Sequence, residues 1–100
     1  MREFGSFAVF SDVALMGRPM AQYNLGYLYE HGLGTAQSDA QAASWYAQAA
    51  NQGYARAQCN LGLMYEEGRG VMQDYAKAFK WYREAAEQHR SCGENNLGLL

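Results

Sequence analysis

The chain has 100 residues, eight Lys and Arg against ten Asp and Glu, and a formal net charge of -2. The cations are scattered, so no phosphate-tracking stripe is visible and nucleic acid is disfavoured as a partner. The longest apolar run is too short to span a bilayer, which excludes membrane insertion, and the length makes one small domain.

Residues 1–18 open with Arg2 and the apolar stretch Phe7-Ala8-Val9-Phe10. Glu3 and Asp12 interrupt this stretch, which argues against a secretory signal and leaves the cytoplasm as the default compartment. Phe7, Phe10, Val13 and Ala14 recur at helical spacing, so residues 4–16 are expected to form a helix that Gly17 ends. They correspond to the second half of a helix pair.

Pro19 suits the first position of a helix, where its missing N–H costs nothing. The first complete helix is expected from Pro19 to His31, with Ala21, Leu25, Leu28 and Tyr29 on the buried side. Gln22 and Gly26 flank that side. Gly26 has no side chain, which lets the next helix approach closely. Gly32 is expected to stop the helix in a left-handed conformation. A second helix follows from Ser38 or Asp39 to Gln52, with Asp39 as the candidate cap. Its apolar side is Ala42, Ala43, Trp45, Tyr46, Ala49 and Ala50.

The plan then repeats. A third helix is expected over residues 55–67. A fourth starts at Asp74, a second candidate cap, and runs to His89. Its inward set is Ala78, Phe79, Trp81, Tyr82, Ala85 and Ala86. Lys80 with Glu84, and Arg83 with Glu87, mark a solvated face. Ser91 and Glu94 form a capping box before Asn96-Leu97-Gly98, the start of one more helix.

Residues 19–54 and 55–90 match at 17 of 36 aligned positions. A fixed period of this size means a solenoid, and the near absence of Pro with abundant Ala, Tyr and Leu suits an all-α one. Helix pairs with short links stack antiparallel, and each unit buries its apolar face on its neighbours. The domain therefore divides into a partial unit (1–18), two full units (19–54 and 55–90) and the start of another (91–100). Trp45 and Trp81 stand 36 apart beside small residues and are expected to be wedges within the helix pairs rather than a cofactor stack.

The pattern A-x-A-Q-x-N-L-G-x-x-Y-E-x-G-x-G, followed by A-x-x-W-Y-x-x-A-A-x-Q-G, resembles the Sel-1-like repeat family. It departs at His89, where Gly is expected, and at Thr35 and Ser38 in the first loop. The related tetratricopeptide unit has 34 residues, and the period of 36 with two loop glycines favours the Sel-1-like form. The resemblance implies a right-handed α-solenoid of antiparallel helix pairs. It also implies a non-enzymatic adaptor or scaffold that holds a peptide or helix of a partner protein on its concave side.

On a helical wheel the free side of the first helix of each unit carries Tyr23, Asn24, Tyr27, Glu30 and His31, then Cys59, Asn60, Leu63 and Glu66, then Asn96. These residues are the expected partner-binding groove. Tyr23 and Tyr27 offer large, stiff contact area. Asn24, Asn60 and Asn96 form either a ladder that clamps an extended peptide backbone or, more commonly, internal orienting contacts. Glu30, Glu66 and Glu67 hint at a basic or amphipathic partner.

No catalytic, cofactor or metal site is expected. His31 and His89 have no Cys or His at ligand spacing, and no Ser or Cys has a local His to activate it. Cys59 and Cys92 are too few for a disulfide framework and are expected as reduced thiols. Two other readings stay open: a passive segment of a longer array, and hydrolysis of cell-wall-related compounds. The second is implied by secreted relatives that carry paired cysteines in each unit, which this chain lacks. Leu97, Leu99 and Leu100 at a cut end point to a fragment or to self-association.

Overall fold

A computed structural model of the chain describes residues 16–88. Within it lie α1 (Pro19–His31), α2 (Asp39–Asn51), α3 (Ala55–Glu67) and α4 (Tyr75–Ala86). The described residues contain helices and turns and no strand. α1 packs on α2, α2 on α3, and α3 on α4. This order is that of two stacked helix pairs, an all-α solenoid. The expected helices at 4–16 and from Ser91 onward lie outside the described residues.

Local chemistry sets each boundary. Pro19 stands at the start of α1. α1 and α3 end in the same way: Gly32 and Gly68 adopt φ of 66° and 69°, and their N–H groups return to the Leu28 and Met64 carbonyls. The next N–H groups, of Leu33 and Arg69, reach the same two carbonyls at 2.9 Å. Together these bonds give one last-turn carbonyl of each helix two donors, and the left-handed residue is a glycine because it lacks the Cβ that would clash there. Each link then closes when Ser38 donates to the Tyr29 carbonyl and Asp74 to the Tyr65 carbonyl.

Ser38, not Asp39, caps α2: its hydroxyl accepts from the Gln41 N–H at 3.2 Å. Asp39 instead occupies the first turn, where its charge complements the helix dipole. Ser38 is the positional equivalent of Asp74, whose carboxylate caps α4 by accepting from Lys77 at 3.1 Å.

The pair geometry rests on one contact made twice. A Cβ added at Gly26 would stand 2.8 Å from the Tyr46 ring, and one at Gly62 would stand 2.7 Å from the Tyr82 ring. Each tyrosine sets one edge of its ring, Cδ1 and Cε1, against a bare patch of the preceding helix, so the glycines permit the close approach that the sequence implies. The core spanning both units is built from Ala42, Ala43, Tyr46, Ala49 and Ala50 of α2, Ala57, Leu61 and Met64 of α3, and Trp81 of α4. Trp45 packs at the edge of a smaller cluster of Ala21, Leu25 and Leu28. Trp81 is thus a core wedge, and Trp45 a partly buried one at the rim of its cluster.

The inward set of α4 needs correction. Ala78, Trp81 and Ala85 are buried, but Phe79 and Ala86 are exposed and Tyr82 is half-buried. Their counterparts Ala43, Tyr46 and Ala50 are buried because α3 lies over α2. The expected polar face of α4 is present: Lys80, Arg83, Glu84 and Glu87 are all exposed.

The α1/α3 face as candidate functional site

Adjacent helices run antiparallel, so α1 and α3 run parallel and present one common wall. Its exposed members are Met20, Tyr27 and His31 on α1, and Arg56, Glu66 and Glu67 on α3. Asn24, Glu30, Asn60 and Leu63 are half-buried on the same wall. Tyr27 is 39% exposed and packs against His31 with ring centroids 4.2 Å apart and the ring planes tilted by 51°. One turn of helix brings these two rings together, since they stand four residues apart.

Two expected groove residues are not on this surface. Tyr23 is 5% exposed and belongs to the shared core, tilted against Tyr46 at 5.6 Å and Tyr54 at 5.4 Å. α1 is covered on two sides, by α2 and by the start of the second unit. A wheel with one buried side and one free side misplaces a residue at that flank. Cys59 is 4% exposed, packs with Ala55 and Ala85, and is disulfide-bonded, its partner lying outside the described residues. The expected reduced thiol at Cys59 is therefore corrected. Asn96 also lies outside the described residues.

Glu30 and Asn60 face the wall yet serve the fold. The Tyr46 hydroxyl donates to Glu30 Oε1 at 2.6 Å, and the Tyr82 hydroxyl donates to Glu66 Oε1 at 2.6 Å. Burial, reinforced by the Glu30 carboxylate, pushes the Tyr46 hydroxyl far above its ordinary pKa. Burial and the Glu66 carboxylate raise Tyr82 as well. Burial also raises Tyr23, opposed by the nearby Asn60 amide and the Arg56 charge. Asn60 thus neighbours the hydroxyls of Tyr23 and Tyr46. This placement supports an orienting role for that amide.

Arg69 ties the units together across this edge. Its guanidinium lies 3.1 Å from Glu30 Oε2 and 3.7 Å from Asp39 Oδ1 in the first unit, and 2.8 Å from Glu67 Oε1 in its own. One cation therefore compensates much of the acidic rim that the sequence displays.

Sequence reasoning missed a buried amide relay. Gln22 and Gln58 are 3% and 1% exposed. Gln58 Nε2 donates to the Ala50 carbonyl at 3.1 Å, and Gln58 Oε1 accepts from Gln88 at 3.0 Å. In the first unit Gln22 Oε1 accepts from Gln52 at 2.8 Å. The signal was present, because both glutamines of each pair recur at the same offset.

Among the described residues no three His, Cys, Asp or Glu are grouped to hold a metal ion, and no helix is long and apolar enough to cross a membrane. A cavity of about 410 Å³ opens at Gly53, Tyr54, Ala55, Arg56 and Gln88. Among the described residues its lining contains no acid–base or nucleophilic pair.

Comparison with known proteins points the same way. The Sel1 repeat family model matches residues 19–54 and 55–89. A Sel1 repeat protein from Oxalobacter formigenes is 47% identical with a TM-score of 0.75, over 85% of this chain and 35% of that one. The protein c5321 of uropathogenic Escherichia coli is described as a protective antigen displaying an SLR fold. It is 40% identical with a TM-score of 0.82, over 84% of this chain and 18% of that one. The cysteine-rich protein B of Helicobacter pylori shares the fold at 23% identity and a TM-score of 0.82, over 94% of this chain and 68% of that one. No curated protein sequence matches the chain. The present chain spans about a third and a fifth of the first two structures. Two matched units, a shared helix-pair core and the recurrent glycine–tyrosine contact place the chain in the Sel1 repeat family.

Proposed function

We propose that the chain is a non-enzymatic interaction module, and that the α1/α3 wall holds an extended or helical segment of a partner protein. Sel1 repeat folds generally act as scaffolds rather than enzymes. The observation that carries the reading is the exposed stripe of Met20, Tyr27 and His31 beside half-buried Leu63. Tyrosine is well suited to such a wall, since it contributes large area with few rotatable bonds. Tyr23 and Cys59 have no part in the surface, and Glu30 contributes mainly through its ties to Tyr46 and Arg69.

Selection of peptides displayed on phage against the full chain tests this reading. Peptides are expected that lose at least tenfold affinity on Tyr27→Ala or Leu63→Ser, with helicity retained by circular dichroism. Selected peptides indifferent to both changes would remove the wall from consideration. The second reading, a segment of a longer array, is favoured by the small share of the relatives that the chain spans. It predicts that no peptide is selected at all.

A further inference from the structure

The α1/α3 wall is not uniform. Arg56, Asn60, Leu63 and Glu67 follow one another at steps of four, three and four residues, so they form one line along α3. The line begins with a cation and ends with a carboxylate, and eleven residues of helix separate the two by roughly 16 Å. The matching line on α1 has Met20 in place of Arg56, Tyr27 in place of Leu63 and His31 in place of Glu67. One side of the wall is thus apolar and aromatic, and the other is charged at both ends. The internal ion pairs leave this polarity in place. Arg56 is exposed and forms no ion pair among the described residues. At the far end Arg69 holds Glu30 and Glu67, while Glu66 has the neutral Tyr82 hydroxyl and keeps its charge.

Resting on the reading of this wall as a partner site, we propose that the partner segment is an amphipathic helix of bipolar charge. One acidic residue sits over Arg56, and a Lys or Arg eleven residues away sits at Glu66 and Glu67. Apolar residues at the fourth and seventh steps between them meet Leu63 and Tyr27. All four places fall on one face of a helix. The spacing reads the same from both ends, so either order of the two charges fits, and two charges of one sign do not. Complementary charges of this kind fix register and suppress wrong partners more than they add affinity. α3 itself carries a base and an acid eleven residues apart, which makes a second copy of the chain the rival occupant. Its line is the poorer fit, because Asn60 stands at one of the two apolar places.

The test selects helix-biased peptides on phage against the full chain and measures the enriched ones by fluorescence anisotropy. They are expected to carry the bipolar pair at this spacing and to bind Arg56→Glu about fivefold more weakly, since reversal turns an attraction into a repulsion. Arg56 is exposed, so the variant keeps the fold, which circular dichroism verifies. Exchanging the acid of the peptide for Lys is expected to restore affinity for the variant and to weaken binding to the natural chain. Three results overturn the proposal and leave the wall in use: peptides that depend on Tyr27 and Leu63 yet ignore Arg56→Glu, no restoration by the exchange, or enriched peptides with charges of one sign alone. A dimer in sedimentation that Arg56→Glu dissolves makes a second copy the occupant and overturns it too. Peptides indifferent to both Tyr27→Ala and Leu63→Ser, or no peptides at all, remove the wall itself and this proposal with it.

Discussion

The two tyrosine contacts have the same internal geometry and different environments. Tyr46 crosses Gly26 and donates to Glu30 at 2.6 Å; Tyr82 crosses Gly62 and donates to Glu66 at 2.6 Å. Tyr46 is fully buried, and its carboxylate partner is also held by Arg69 of the other unit. Tyr82 and Glu66 are more open, and Glu66 has no such cation among the described residues. Sequence within a unit sets the shape of the contact. The neighbouring unit sets how much that contact is worth, because a hydrogen bond sheltered from water has a costlier alternative than one at the surface.

That contrast is sharpest at the glycines. Gly26→Ala forces a methyl group into a ring that has nowhere to go and is expected to destabilise by about 2–3 kcal/mol, the upper range for overpacking. Gly62→Ala meets a ring that can swing outward. Its clash is expected to be largely offset by the roughly 1 kcal/mol gain in helix propensity. Urea denaturation of the two variants measures the difference, and equal losses would break the comparison.

Alkaline titration is the next test. The raised pKa of Tyr46 means that above pH ~10 the unfolded chain releases a proton that the folded chain retains. Folding stability contributed by this group is complete below pH ~10 and falls as pH rises beyond it, by about 1.4 kcal/mol per unit. Tyr46→Phe is expected to remove one proton's worth of that slope. An unchanged slope would show that the hydroxyl is not sheltered.

At neutral pH, Tyr46→Phe is expected to cost about 1–2 kcal/mol and Tyr82→Phe about half as much or less, measured by thermal unfolding. The smallest effect belongs to Arg69→Leu, which places at the second loop the residue that Leu33 supplies at the first. A loss of roughly 0.5–1 kcal/mol is expected, shrinking in 1 M salt, since Arg69 is only partly shielded. A salt-independent loss would mean that the aliphatic stem matters more than the charge.

Much of this architecture can be read from spacing. The limits of α1, α2 and α3, the stops at Gly32 and Gly68, the close approach at Gly26 and the cap at Asp74 all follow from short-range stereochemistry that recurs at a fixed offset, whereas α4 stops at Ala86, short of the expected end at His89. The errors of burial share one cause. Tyr23 and Cys59 are covered, and Phe79 and Ala86 are uncovered, because of which helices pack around them. Periodicity reports that a helix has an apolar side but not how many other helices surround it. Gln22 and Gln58 were passed over because a polar residue on an apolar flank reads as a boundary. Only the three-dimensional stack reveals acceptors and donors that make burial tolerable.

The amide of Gln58 reaches in two directions, backward to the Ala50 carbonyl and forward to Gln88. Inherited segments and self-sufficient segments are therefore not the same length. Splitting the chain between residues 54 and 55 would strand a donor that is 1% exposed. Recombination that shuffles such modules is thus constrained: an incoming module needs glutamine at this place, or must close the seam with carbon alone.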